Sequence, residues 1–561
     1  MSGHDTSDIG LAELQQARIL RYEETSDAHD RRTYQTAGFG PMSPSESKST
    51  TPFDSKATSA RNSSDGLPLS SSSMEQPVQL PTEAMFQARP AQLKNMTAEI
   101  LFVMTCALSQ ILFSFLLGNV ATLQDVLVDK LNIPHSQSPW LIGSYALANG
   151  LSVIVSGPVA DLTKPKYLIC GAFAWLTAWS VVGCFSLTNK YLFFVVRACQ
   201  GIAVGVLLTS TLCICGRIYK PGLRKTRIFS AMASGAPLGF WLGCISSSAL
   251  ATADVRYIYV LDAAISACCL AAALYAIPAI DSSTVVNAPF DYLGSIFAVT
   301  GCSLLVAGLT QGPSVSWAAY AIAIVVIGVA FIVAFFFIET RAKRPIMPPQ
   351  VWKAPSFTPL AIAYFVGFGG YMSWQWYMVQ FFLHVQHASP VTTALYILPN
   401  PIIGVLAAYI VSIILHRVPG HYVFFISMVC FGLGPVFFLP QTAGTPYWNL
   451  SLVGISLVTL GPDLSFAAAS VIITSSTPKS YQGSAASILV TLQNLSAAIM
   501  TSISDSIGVR VTDGSGSTTI DLSGLRAIWY FNMACAIVAA AIVLIAVRVP
   551  KSIEKDHEKE Y

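Results

Sequence analysis

The chain has 561 residues, of which 53% are hydrophobic and only 11% charged, with a formal net charge of +3 and a mean hydropathy of +0.58. A soluble domain carries about 25% charged residues, so most of this surface is not made for water. A charge so close to balance also gives no basis for a nucleic-acid partner.

Residues 1–93 are rich in Ser, Thr, Gln and charge, as in "SDAHDRRTYQTAGFGPMSPSESKST". Such a stretch has too little apolar area to offset the entropy of ordering, so a disordered N-terminal tail is expected. It lacks an apolar run after a basic start, the mark of a cleaved signal peptide. A tail of this composition offers a surface for a cytoplasmic partner and Ser/Thr sites for phosphorylation.

Beyond it, apolar runs of about 18 residues or more recur, the length at which one helix crosses roughly 30 Å of hydrocarbon. Spans are expected at roughly 98–122, 139–160, 167–187, 191–215, 227–250, 257–280 and 291–311. A second set follows at roughly 315–338, 357–382, 391–414, 422–440, 447–473, 483–508 and 526–548. The expected fold is therefore an all-α membrane protein with about fourteen transmembrane helices. Basic residues gather in alternate loops, for instance Arg217, Lys220, Arg224, Lys225 and Arg227, which orients both termini to the cytoplasm.

All twelve cysteines fall within or beside these spans without metal-ligand spacing, and they read as small apolar packing residues. Neither a phosphate-binding G-x-x-x-x-G-K-[ST] loop, a G-x-S-x-G elbow nor an H-E-x-x-H pair occurs. No cofactor or metal is expected, and an enzyme is the poorer reading.

Three stretches carry more information. "GPVADLTKPKYL" sets Gly157 and Asp161 one helical turn apart, followed by Lys164 and Lys166. "FVVRACQGIAVG" puts Arg197, Gln200, Gly201 and Gly205 near one face of the fourth span, where an Arg costs about 2.5–3.5 kcal/mol to insert and is functional by default. "SGAPLGFWLG" spaces Gly235, Gly239 and Gly243 four apart, so that one helical face admits a neighbouring backbone. Pro237 removes a donor and disturbs the turn before it.

In their order and their places in the second, fourth and fifth spans, these stretches resemble the signature motifs of the major facilitator superfamily. The first is similar to its loop motif G-x-x-x-D-R-x-G-R-R, with Leu162 in place of a basic residue and Pro165 in place of a glycine. The second resembles the fourth-span motif associated with proton coupling, and the third the fifth-span antiporter motif. Segments such as "FDYLGSIFAVTG" and "GPDLSFAAASVII" look like the fourteen-span drug:proton antiporter branch, in its fungal members related to aminotriazole-resistance and low-affinity ammonium transporters. The resemblance implies a six-helix bundle at 94–282, two extra helices at 283–345, a second six-helix bundle at 346–549 and a cytoplasmic tail at 550–561. It further implies substrate binding near the midplane, exposed to alternate sides as the bundles rock, and a bent fifth-span contact between the moving parts.

Coupling to protons needs a group that can change charge in the cavity. Asp463 follows Gly461 and Pro462 inside an apolar span and is one candidate; its other reading is a cap or a structural partner for a basic residue. Arg197 with Gln200 is the other, read either as coupling and cavity electrostatics or as a static pair. Trp374 and Trp376 either line a cavity for flat organic compounds or form an aromatic belt at the membrane boundary. Gln110, Asn119, Asn149 and Asn400 either face the cavity or link helices at about 0.6 kcal/mol apiece. Asn449 opens an N-L-S sequon near an outside end and is a candidate glycan site.

The expected function is a multi-pass secondary transporter in lipid bilayer, in the plasma or vacuolar membrane, exporting small organic compounds in exchange for protons. An uptake permease for ammonium or another small solute, and a transporter-like sensor, are the alternatives.

Overall fold

The computed structural model describes residues 90–548 with short breaks, the longest at 280–289 and 513–519, and only scattered residues at 220–230. The expected tails at 1–93 and 550–561 therefore lie almost wholly outside the described residues. Among the described residues every regular element is a helix. In chain order these are α1 (Met96–Ala121), α2 (Gln124–Leu131), α3 (Trp140–Leu162), α4 (Pro165–Ser186), α5 (Lys190–Ile218), α6 (Gly235–Ala251) and α7 (Arg256–Ala276). Next come α8 (Tyr292–Gln311), α9 (Ala319–Glu339), α10 (Phe357–Gln380), α11 (Pro390–Tyr396) and α12 (Pro399–Ile414). The last are α13 (Gly420–Phe438), α14 (Ser451–Ser476), α15 (Gln482–Thr512) and α16 (Leu522–Ala546).

Polar side chains start several of them where the first N–H groups lack helical partners. Asn189 accepts from the backbone of Tyr191 at 2.9 Å to open α5, and Asp521 accepts from Gly524 at 2.8 Å to open α16. At the other end of α5, Arg217 donates to the carbonyl of Ala160 in the last turn of α3 at 3.2 Å, a cation at the negative pole of a helix.

Among the described residues, 12 spans are long and apolar enough to cross a membrane, with α11 and α12 together forming one, Pro390–Val411. Two of the fourteen expected spans fall short. α6 has 17 residues, because Pro237 has no N–H for the carbonyl four residues back and the helix breaks at Ser234. α10 has 24 residues but is diluted with Tyr, Trp, Gln, Ser and Gly, and 18 of the 24 are buried. It faces protein far more than lipid.

α1 and α3–α7 pack as one group, with α1 on α6, α3 on α5 and α4 on α7; α10 and α12–α16 form a second, with α10 on α16 and α13 on α14. Between them in sequence, α8 and α9 pair with each other, and α8 also touches α3 and α15. α9 is the most lipid-facing span, with 17% of its apolar window buried. The two groups meet where α3 lies against α15 and where α6 lies against α11 and α12.

The glycine face of α6 meets α1 of its own group. A Cβ on Gly239 would collide with the carbonyl oxygen of Ile111, one on Gly243 with that of Phe115, and one on Gly118 with that of Phe240. These three positions let two helix backbones touch. The three glycines thus meet α1 of their own group, while Pro237 of the same stretch lies against Gly404 of α12 and Trp241 reaches Ala394 of α11.

Candidate functional site

A cavity of about 140 Å³ lies where the two groups face each other. α1 and α6 contribute Phe113, Pro237 and Phe240, and α10 contributes Phe368, Tyr371, Gln375 and Trp376. Asn400 of α12, Asp463 of α14, and Gln493 and Asn494 of α15 supply the polar part of the opposite wall. Asp463 is the one charged residue of this lining.

α14 runs unbroken through Pro462. The proline has no N–H for the carbonyl of Val458, one turn back, and Asp463 follows it into the cavity. Its Oδ2 is buried without a hydrogen bond among the described residues, and so is Nε1 of Trp376. A Cβ at Gly404 would lie 3.4 Å from Asp463 Oδ2 and against the ring of Pro237. The antiporter-like motif and the acidic residue, 226 positions apart in the numbering, thus share one corner of the cavity. An unpaired acceptor and an unpaired donor in an aromatic chamber leave two hydrogen bonds for a solute to complete.

Beyond the cavity two sets of contacts join the groups. On one side α3 and α15 press together, with Gly150 against Asn494 and Gly157 against Ser487. On the other, Asp125 of α2 meets His384 of the π-helical turn that continues α10, at 2.8 Å, and Gln124 accepts from Gln380 at 3.1 Å. Trp241 of α6 also donates to the carbonyl of Ala394 in α11 at 3.1 Å. Near that end Lys130 pairs with Asp254 at 3.1 Å. The backbone N–H of Arg256 and then Lys130 hold the Asp254 carboxyl below the usual carboxylate range.

Arg197 and Gln200 lie within the first group, outside the cavity lining. Arg197 is fully buried; it donates to the carbonyl of Leu116 at 2.9 Å and to Gln200 Oε1 at 3.2 Å, and its guanidinium stacks 4.7 Å from the ring centre of Tyr145. Gln200 in turn donates to Ser180 at 3.1 Å. Asn119 joins this cluster by donating to Asp262 of α7 at 2.7 Å, so two buried opposite charges, Arg197 and Asp262, attract across it. Asp262 escaped the sequence reading, although the signal was the one that found Asp463: a carboxylate in an apolar run, here "YVLDAAIS".

The remaining candidates divide. Trp376 and Asn400 face the cavity. Trp374, two positions from Trp376 and so on nearly the opposite side of α10, is buried in the core edge-on to Phe438, neither lining the cavity nor forming a membrane belt. Asn149 donates to the carbonyl of Gly201 at 3.4 Å and Gln110 lies beside Gly235, both away from the cavity lining. Lys164 occupies the residue just before α4, and Lys166 donates to the carbonyl of Leu274 at 3.0 Å. The Asp161 side chain lies outside the described residues. Asn449 is exposed between α13 and α14.

Comparison with known proteins gives this architecture its relatives. The chain is 28% identical to the aminotriazole resistance protein of Saccharomyces cerevisiae, over 81% of this chain and 84% of that one. It is 31% identical to the low affinity ammonium transporter of the same yeast, over 71% and 78%, and 27% identical to the efflux pump terJ of Aspergillus terreus, over 80% and 88%. The crystal structure of the peptide transporter POT shares the fold, with a TM-score of 0.56 at 16% identity over 82% of this chain and 98% of that one. The sequence profile of the Major Facilitator Superfamily matches residues 106–501; this chain is a multi-pass membrane transporter of that superfamily.

Proposed function

We propose that the chain exports small organic compounds in exchange for protons, by alternating access. Asp463 carries this reading: it is the one charge on the cavity lining, it is buried at the seam between the two groups, and one of its oxygens has no hydrogen-bond partner among the described residues. A proton and a solute would compete for that carboxylate. The aromatic walls suit flat or partly apolar molecules, and Trp376 Nε1 offers a donor to a solute acceptor.

The cavity, at about 140 Å³, is smaller than the roughly 300–1,000 Å³ of sites that enclose drug-sized ligands. On this reading the structure is a closed stage of the cycle. Opening towards one side parts α3 from α15, and opening towards the other parts Asp125 from His384. Both termini are assigned to the cytoplasm and the protein to the plasma membrane, with the vacuolar membrane as the other location. The likeness to an efflux pump favours export; the likeness to a low affinity ammonium transporter favours uptake as the second reading.

Accumulation of a panel of labelled compounds, in cells with and without the protein and before and after collapse of the proton gradient, separates the two. Lower accumulation that the collapse reverses supports proton-driven export. Higher accumulation replaces it with uptake, and no difference for any compound supports a sensor.

A further inference from the structure

Beside the central cavity, an open apolar groove of about 410 Å³ runs between α8 and α15. Leu309 and Trp317 form one wall, and Ile503, Ile507 and Val511 the other. Ser502 belongs to the groove and to the central cavity at once. Its neighbour on the cavity side is Thr310, and the two hydroxyl oxygens are 2.8 Å apart. Ser502 spends its own proton on the carbonyl of Ala498, at 2.9 Å, so Thr310 donates to it. The pair lies where the groove adjoins the cavity, beside an apolar cluster of Val306, Ala498 and Ile499 against which Leu309 and Ile503 pack.

Trp317, at the end of the groove, is held under strain. Trp317 has a φ of 55°, a left-handed conformation that is an outlier for so bulky a residue. Its N–H donates to the carbonyl of Gly312 at 2.8 Å and its ring lies over Gly312, where any Cβ would crowd it. The ring is thus fixed as a groove wall while staying 40% exposed. α8 and α9 stand outside the two groups that surround the cavity, and this wall is work for which those groups supply no helix.

We propose that the groove is a side entrance through which lipid-soluble organic molecules pass between the bilayer and the central cavity, with the Thr310–Ser502 hydrogen bond as its gate. The proposal rests on the reading of the chain as a transporter of small organic compounds. The occupant is an apolar or aromatic body taken from the membrane; Arg510, the one charge of the lining, sits where a polar end of such a molecule would lie.

The test uses the full chain in phosphatidylcholine vesicles and a lipid-soluble phenyl-diazirine as photolabel, so that it does not depend on transport. Thr310→Cys with Ser502→Cys closes the gate by a disulfide, and each single cysteine variant is its control. Ser506→Trp fills the groove and leaves both gate hydroxyls in place, losing only the bond from Ser506 to the backbone carbonyl of Ser502 at 3.0 Å. Labelling of the cavity residues at 113–121 is expected to fall at least fivefold in the oxidised double variant and to return on reduction, and to fall similarly in Ser506→Trp. Unchanged labelling of 113–121 in both the oxidised double variant and Ser506→Trp overturns the entrance. If labelling behaves as expected while the wild type changes the accumulation of no compound, the entrance stands and the export reading falls.

Discussion

His384 Nε2 lies 2.8 Å from Oδ1 and 2.9 Å from Oδ2 of Asp125, although 259 positions separate the two residues in sequence, one on α2 after α1 and the other on the turn that continues α10. Together with Gln124 and Gln380 they tie α2 to the end of α10. Replacing both by cysteine, Asp125→Cys with His384→Cys, is expected to arrest transport at least tenfold under oxidising conditions and release it on reduction. Uptake or efflux of a transported compound, followed before and after a reductant, reads this directly. Transport indifferent to oxidation, with the crosslink shown on a gel, means that this end does not open.

Asp463→Asn keeps the shape of the side chain and removes its ability to change charge. Because Oδ2 has no hydrogen-bond partner to lose among the described residues, the variant is expected to fold and to reach the membrane in wild-type amount. Proton-driven transport should fall at least tenfold, while exchange of labelled for unlabelled substrate across the membrane persists. Loss of both would assign Asp463 to substrate binding, and loss of neither would remove it from the cycle.

Arg197→Ala removes the donor to the Leu116 carbonyl and to Gln200 Oε1. Leaving a buried polar group without its partner costs about 1–3 kcal/mol, so a clear loss of folded protein is expected in size-exclusion profiles of detergent extracts. Arg197→Met combined with Asp262→Asn should restore the profile. If that double variant also transports normally, the pair is purely structural; if it folds but fails to transport, Arg197 takes part in coupling.

Gly239→Ala puts a methyl group where Ile111 already presents its carbonyl oxygen. Overpacking of this kind costs about 1–3 kcal/mol, visible as an earlier thermal unfolding of the purified protein. Gly171→Ala in α4 meets nothing within 4 Å and is expected to leave stability unchanged or to raise it slightly, since Ala is the better helix former.

Hydropathy located the helices because the bilayer imposes one simple rule on most of them. Where protein rather than lipid surrounds a segment the rule weakens, and α6 and α10 are the places where the expected count of fourteen exceeds the twelve spans that meet it. Arg197 and Asp463 could be singled out from sequence because charge in an apolar run is rare. What each one faces could not be read, since Pro237 meets Gly404, and Asp125 meets His384, only after distant helices have packed. The difference between Trp374 and Trp376 is likewise a matter of which side of α10 looks inward.

α10 buries 18 of its 24 residues: Ser373 and Tyr377 bond to Ser504 and Asp505 of α15, Trp374 packs on Phe438 of α13, and the helix lies along α16. All three are made later than α10 itself. A segment of this composition gains little from lipid when it leaves the ribosome, and its company is complete only when α16 has been synthesised. Assembly of the second helix group is therefore a late, concerted event in biogenesis, and truncation anywhere before α16 strands a helix that the membrane alone does not hold.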